Sequence, residues 1–299
     1  MVRLGGKPLV ALTTLIMKLK WQLPAILLLV LVFLAACRDQ EEPVTSLTPE
    51  IIPLPTRSDE NPVWQPAVGI TGQWQLTDLP LDTSVEADVY DIDLIDNDAS
   101  VVAALHAQGR RVICYISTGS WEDWRPDADQ FPGEVIGEDY MGWPGEKWLD
   151  IRQIEKLAPI LRARLDLCKA KGFDGVEPDN IDAYTNNTGF PLTYQDQLRF
   201  NIWLAQEAHA RGLSIGLKND SEQVRDLLPF FDWALTEDCF DQDWCAQMTP
   251  FITAGKAVID TEYTDTGIRL EDFCPEARAL HIHAILKNRG LDAFIRNCP

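Results

Sequence analysis

From about residue 67 onward the chain alternates short β-rich runs with helical stretches, and few folds accept that rhythm. Strands joined through helices run parallel, so the pattern predicts βα units around a parallel sheet. The spacing predicts strands over 72–78, 87–95, 110–118, 173–180, 213–220, 231–238, 256–263 and 290–296. Eight such units predict an α/β fold of the closed (β/α)8 TIM-barrel type. No self-similar period of about 20 to 50 residues is present, which excludes a solenoid.

The segments between these runs carry helical periodicity. In "LAPILRARLDLCKAKG" Leu157, Leu161, Leu165 and Cys168 share one face, and in "LRFNIWLAQEAHARG" Leu198, Ile202 and Ala205 do the same. Gly172 and Gly212 then supply the helix ends. If Tyr115 and Ser117 of the third strand point into the barrel, Cys114 and Ile116 point out toward the helices, where Cys168 can meet Cys114.

The N-terminus stands apart from this core. Arg3, Lys7, Lys18 and Lys20 precede the apolar run "LPAILLLVLVFLAAC", which ends in small residues at a cysteine. That reads as a secretory signal over 1–36. Its close, Leu34, Ala35, Ala36 and Cys37, resembles the lipobox of bacterial lipoproteins and implies lipidation of Cys37 and a membrane-anchored, extracytoplasmic protein. Residues 37–66 hold six prolines and no apolar periodicity, the composition of an extended tether. The expected domain is therefore 67–299.

Removing residues 1–36 takes away four basic groups and no acidic one, so the formal net charge moves from -20 to -24. Such a surface repels nucleic acid, and no nucleic-acid partner is expected. Besides Cys37 there are six cysteines, an even number that in an oxidising compartment points to disulfides. Of 15 possible pairings, the preferred set is Cys114–Cys168, Cys239–Cys245 and Cys274–Cys298.

Polar side chains gather at the C-terminal end of strand after strand: Gln75 and Asp78; Asp91 and Asp93; Ser117, Glu122 and Arg125; Glu177, Asp179 and Asn180; Lys218, Asn219 and Asp220; Glu237 and Asp238; Glu262 and Tyr263. In a (β/α)8 barrel that rim is where active sites are built. Aromatic residues interleave with these acids, namely Trp74, Tyr115, Trp121, Trp124, Trp143, Trp148, Tyr184 and Tyr263. Rings beside carboxylates suit sugars, whose C–H faces stack while their hydroxyls or amines bond to the acids.

Other chemistries fit less well. His281 and His283 sit two apart in "EARALHIHAILK", a predicted helix in which such positions do not share a face. No metal site and no cofactor is expected. Nucleophile-elbow, P-loop and CxxC motifs are absent from the sequence. Glycosidic cleavage needs a pair of carboxyl groups. Asp179 ends the fourth predicted strand and Glu237 the sixth, so the two face each other across the barrel mouth.

The segments "ICYISTGSWEDWRPD", "KGFDGVEPDNIDAY", "AHARGLSIGLKND" and "LTEDCF" together resemble glycoside hydrolase family 114, the endo-α-1,4-polygalactosaminidases, over roughly residues 70–265. The resemblance implies a (β/α)8 barrel acting on α-1,4-linked galactosamine polymers, with Asp179 and Glu237 as the catalytic carboxylates. It further implies subsites lined by Asp93, Tyr115, Ser117, Glu122, Arg125, Asn180, Lys218, Asn219 and Glu262. De-acetylated galactosamine carries an ammonium, for which Asp93 or Glu122 is a natural partner. The expected protein is thus a monomeric, lipid-anchored endo-glycosidase of galactosamine-containing polysaccharide; the alternative is a surface lipoprotein that binds such a polymer without cleaving it.

Overall fold

Alternating apolar side chains place two hydrophobic layers on the two faces of one curved sheet. The computed structural model describes residues 63–299. The expected signal peptide, the Cys37 lipidation site and residues 37–62 of the tether lie outside the described residues. In chain order the elements are β1 (Gly72–Gln75), β2 (Val89–Asp93), α1 (Ala99–Ala107), β3 (Arg111–Ser117), β4 (Ser120–Glu122), β5 (Ile136–Asp139), β6 (Glu146–Leu149), α2 (Ile154–Lys171) and β7 (Gly175–Asp179). They continue as α3 (Tyr194–Ala210), β8 (Ser214–Lys218), α4 (Val224–Leu227), β9 (Trp233–Glu237), α5 (Thr249–Thr253), β10 (Val258–Tyr263), α6 (Leu270–Leu280), β11 (His283–Lys287) and β12 (Arg296–Asn297).

Nine strands form the main sheet in the order β1-β2-β3-β7-β8-β9-β10-β11-β12. All are parallel except β12, which pairs antiparallel to β11. Trp74, Val89, Ile113, Tyr115, Trp233, Leu235 and Tyr263 cluster inside the curve. Other residues of the same sheet, Tyr90, Ile92, Val112, Cys114, Val176, Ile215 and Ala234, pack outward against Leu157, Leu161, Leu165, Cys168 and Phe200 of the helices. That alternation is the expected one for a sheet buried on both faces.

The barrel is TIM-like but not fully closed. No strand ladder joins β1 to β11 among the described residues. Instead, the Leu291 carbonyl accepts the Leu76 and Thr77 amides, and Lys287 Nζ reaches Gln73 Oε1 at 3.0 Å across the seam. A closed barrel was expected; here a loop and one buried side chain stand in for the final ladder.

The eighth parallel strand is also displaced from its expected place. It is β11, within the stretch that reads as helix, whereas 290–296 is mostly irregular. The helix ends at Leu280 because His281 takes the left-handed conformation (φ 59) that glycine usually supplies. Without a glycine at that point, nothing local marked the change from helix to strand.

Two helices behave as their periodicity predicts. Gly172 closes α2 at φ 94, and Thr193 opens α3 through a capping box with Asp196. The three preferred disulfides are present, with Cα separations of 6.1 Å for Cys114–Cys168, 4.8 Å for Cys239–Cys245 and 5.4 Å for Cys274–Cys298.

One element was not foreseen: β4, β5 and β6 form a separate antiparallel sheet between β3 and α2. Arg164 of α2 pins it, binding both Asp127 oxygens at 2.8 Å and the Ser117 carbonyl at 2.7 Å. A bidentate guanidinium of this kind fixes geometry as well as charge.

Candidate active site

Several strands end on an Asn or Asp that turns the chain out of the barrel. Asp78, Asn180, Asn219, Asp220 and Asp238 all take positive φ, between 45° and 63°. Asn and Asp tolerate this region because their short side chains bond locally. The turn leaves the preceding residue at the rim, pointing inward, and these residues surround a cleft of about 760 Å³.

Lys218 stands at the centre of it. Its Nζ lies 3.0 Å from Glu177 Oε1, 2.8 Å from Asp179 Oδ1 and 3.0 Å from Glu237 Oε2, and 4.7 Å from the centre of the Trp74 ring. Because one ammonium touches both, Asp179 Oδ1 and Glu237 Oε2 cannot be more than 5.8 Å apart, the sum of the two contacts. Asp179 also accepts from Tyr115 Oη at 3.1 Å and from the Asn180 amide at 2.8 Å. Glu237 accepts from Tyr263 Oη, and its own amide donates to Asn219 Oδ1 at 3.0 Å.

Burial opposes the charge on Lys218, but Asp179, Glu177 and Glu237 outweigh it and hold the ammonium protonated well above its ordinary range. Beneath it, burial pushes Glu177 up to about 7 and, with the Glu177 charge, raises Asp91 well above the carboxylate range. Burial, then the facing Asp179 and Glu237, likewise raises Tyr115 and Tyr263, so both phenols remain donors to the carboxylates they touch.

Of the expected positions, the cleft brings together Asp93, Tyr115, Glu122, Arg125, Asp179, Asn180, Lys218, Asn219 and Glu237. Two others lie elsewhere. Ser117 is fully buried below Asn180, whose Nδ2 donates to it at 3.0 Å; it supports a cleft residue without facing the cleft. Glu262 is the clearer correction. Strand alternation turns Tyr263 inward and Glu262 outward, where it takes the Phe240 amide at 2.7 Å beneath the surface.

Asp93 and Glu122 also differ from expectation. Both are engaged by Arg125, at 2.7 and 2.8 Å. Glu122 and Asp93 in turn outweigh burial and strengthen the Arg125 charge. Among the aromatic residues, Trp74, Tyr115, Trp124, Trp143, Tyr184 and Tyr263 line the cleft. Trp121 donates to the Ala128 carbonyl, and Trp148 is buried against Tyr140.

The sequence reading passed over Tyr140, Glu146 and Arg289, which also line the cleft. Glu146 comes from β6, and its place among Ser120 and Asn180 is invisible without the inserted sheet. Arg289 stacks 4.0 Å over the Tyr263 ring. It follows the true eighth strand, so placing that strand at 283–287 would have found it. Gly119 is required beside Asn180, since a Cβ there would sit 1.7 Å from the Asn180 carbonyl oxygen.

Comparison with known proteins agrees with this geometry. The model of glycoside-hydrolase family GH114 matches residues 54–299. A crystal structure of Aspergillus fumigatus Ega3 in complex with galactosamine superposes with a TM-score of 0.77 at 38% identity, over 81% of this chain and 99% of that one. The glycoside hydrolase domain of PelA from Pseudomonas aeruginosa shares the fold, with a TM-score of 0.60 at 14% identity over 76% and 97% of the two chains. An uncharacterized protein of Deinococcus radiodurans is 28% identical over 91% of this chain and 99% of its own length.

Proposed function

The chain belongs to glycoside-hydrolase family GH114 and is a glycoside hydrolase, and on that premise we propose that it cleaves α-1,4-linked, galactosamine-containing polysaccharide internally, with Asp179 and Glu237 as the reacting pair. The observation that carries this reading is the convergence of those two carboxylates on Lys218 in an acidic, aromatic-lined cleft. The galactosamine bound by Ega3, a 38% identical relative, supports the choice of sugar.

The spacing favours retention. Retaining enzymes hold their carboxyl groups about 5–5.5 Å apart and inverting ones about 6.5–9.5 Å; the two oxygens that share Lys218, no more than 5.8 Å apart, are the nearest edges of the pair and make the shorter class our working choice. Three donors converge on Asp179, an arrangement suited to the group that carries negative charge into the reaction. Asp179 then attacks the anomeric carbon while Glu237, which must first take up a proton from solvent, gives that proton to the departing oxygen. In the second half, Glu237 removes a proton from water, the resulting hydroxide attacks the same carbon, and Asp179 leaves as a carboxylate. Trp74 lines the cleft beside this pair, its ring centre 4.7 Å from Lys218 Nζ.

Three disulfides fit an oxidising compartment outside the cytoplasm. With the lipobox-like Cys37 they support an enzyme tethered at a membrane and acting on extracytoplasmic polymer. The direct test measures product release from galactosamine oligomers by wild type, Asp179→Asn and Glu237→Gln. Each substitution is expected to lower kcat by at least about a thousandfold while thermal unfolding stays cooperative, and proton NMR is expected to show the α-anomer released first. Near-normal turnover by either variant removes that residue from the mechanism.

A further inference from the structure

An ammonium has three protons to donate, and Lys218 has three carboxylate partners for them: Asp179 Oδ1 at 2.8 Å, Glu237 Oε2 at 3.0 Å and Glu177 Oε1 at 3.0 Å. The first two belong to the proposed reacting pair. Glu177 does not; it is fully buried below the cleft, with Asp91 one layer deeper at 4% exposure. Strand register brings these two acids together. Asp91 of β2 lies level with Trp74 and Ile113, and Glu177 of β7 lies level with Tyr115, on the face of the sheet that points into the curve.

Counting hydrogen bonds exposes a shortfall at this point. Glu177 Oε2 and both carboxyl oxygens of Asp91 are buried, and none of the three receives an N–H or O–H from another described group. The two side chains lie within hydrogen-bonding reach of each other. As two carboxylates they would repel and leave three buried acceptors unmet, which is a costly arrangement. One proton between them turns the same contact into a hydrogen bond. Glu177 already accepts from Lys218, which favours its charged form, so the proton belongs on Asp91.

We propose that Asp91 and Glu177 share one proton and act together as positioning residues: protonated Asp91 donates to Glu177 Oε2, and Glu177 thereby stays a carboxylate that holds Lys218 between Asp179 and Glu237. The inference rests on the assignment of Asp179 and Glu237 as the reacting pair and adds what keeps their common ammonium in place. Without the Glu177 carboxylate, Lys218 shifts toward the pair and drags its two oxygens from the attacking geometry. Misplacing a reacting group by about 1 Å can cost about a hundredfold in rate.

The surrounding charges agree with this placement. Burial, then the Glu177 charge, pushes Asp91 well above the carboxylate range, while burial pushes Glu177 up to about 7 against the opposing charge of Lys218. Asp179, from the end of β7, raises both acids, and Glu237 of β9 raises Glu177. Tyr115 of β3 faces Glu177 as a phenol kept neutral by burial and by Asp179. Above about pH 7 the pair therefore holds one proton and one negative charge. Below it a second proton arrives on Glu177, and the hold on Lys218 weakens.

The test uses the full chain and two readouts. Infrared spectra of wild type minus Asp91→Asn, in which the other buried acids cancel, are expected to show the carbonyl band of a protonated carboxyl at about pH 8. Turnover of galactosamine oligomers is followed against pH. Asp91→Leu is expected to lower kcat about ten- to hundredfold with KM little changed, and to move the acid limb of kcat up by about one pH unit, because Glu177 without a donor keeps its proton longer. Asp91→Asn, whose amide donates the same bond, is expected to recover most of that loss and return the limb to its wild-type position. Glu177→Gln provides a second arm should Asp91→Leu not fold, with a similar fall in kcat and loss of the limb expected. Unchanged kcat and limb in either folded variant, an Asn variant no better than the Leu one, or absence of the carboxyl band overturns the shared proton while leaving the hydrolase reading intact. Failure of folded wild type to cleave any galactosamine polymer overturns both.

Discussion

At Lys218, three carboxylates meet on one ammonium that is itself almost fully buried. Removing such a partner would leave buried like charges uncompensated, at a cost of about 3–5 kcal/mol. The charges themselves were legible, because Glu177, Asp179, Lys218 and Glu237 all sit at predicted strand ends. Their mutual contact was not, since it depends on how far each strand rises before turning. Glu146 shows the same limit and supplies a test. Burial raises it from 4.5 to about 7, and Glu177 and Glu262 are raised to about 7 as well. Each holds a proton in the fold that the unfolded chain has lost above its ordinary value. The folded state therefore binds more protons between about pH 4.5 and 7, and stability falls as pH rises through that window. Asp127 and Asp150 are lowered and act in the opposite sense only at more acidic pH, while His283, lowered by burial from 6.5, offsets part of the fall within the window. Glu146→Gln keeps an acceptor for Ser120 and Asn180. Denaturant midpoints across pH 4.5–7.5 should fall with pH in wild type and less steeply in this variant, by up to about 3 kcal/mol. Parallel slopes would show that Glu146 does not titrate in this range.

At the scale of elements, the inserted β4–β6 sheet is what shapes one wall of the cleft. It places Trp124 and Trp143 on that wall at 51% and 47% exposure. Large rings left open to water beside a polymer-binding cleft are suited to stacking on pyranose faces. Replacing both by Ala is expected to raise KM for long polymer about tenfold more than KM for a trimer, measured by reducing-end release. Equal effects on both substrates would argue against a distal stacking role. The two tryptophans were visible in the sequence as aromatics among acids, but the insert was not. Its strands are three or four residues long, and strands so short leave too few alternations to be distinguished from loop. The eighth strand failed for a related reason: His281 ends α6 in a conformation whose usual marker is glycine.

Across the whole molecule, the sheet and its helical coat are tied by Cys114–Cys168, which closes a loop of 54 residues between β3 and α2. A link of that span is worth on the order of 4 kcal/mol. The double Ala variant should unfold about 10 °C lower by calorimetry, and an unchanged midpoint would show that apolar packing alone secures α2. This pairing was legible because strand alternation sends Cys114 outward and helical periodicity sends Cys168 inward, two local rules that needed no coordinates. The parallel α/β architecture, the acidic rim and the opposition of Asp179 to Glu237 followed from rules of the same local kind. What only tertiary structure decided was which rim groups converge and which are already spoken for. Arg125 engages Asp93 and Glu122, Lys218 joins the two carboxylates, Glu262 turns away from the cleft, and a loop bridges β1 to β11. Periodicity acts over two to four residues along the chain, whereas these contacts, Arg125–Glu122 aside, join groups tens to hundreds of residues apart, and their geometry is set by the twist and closure of the sheet.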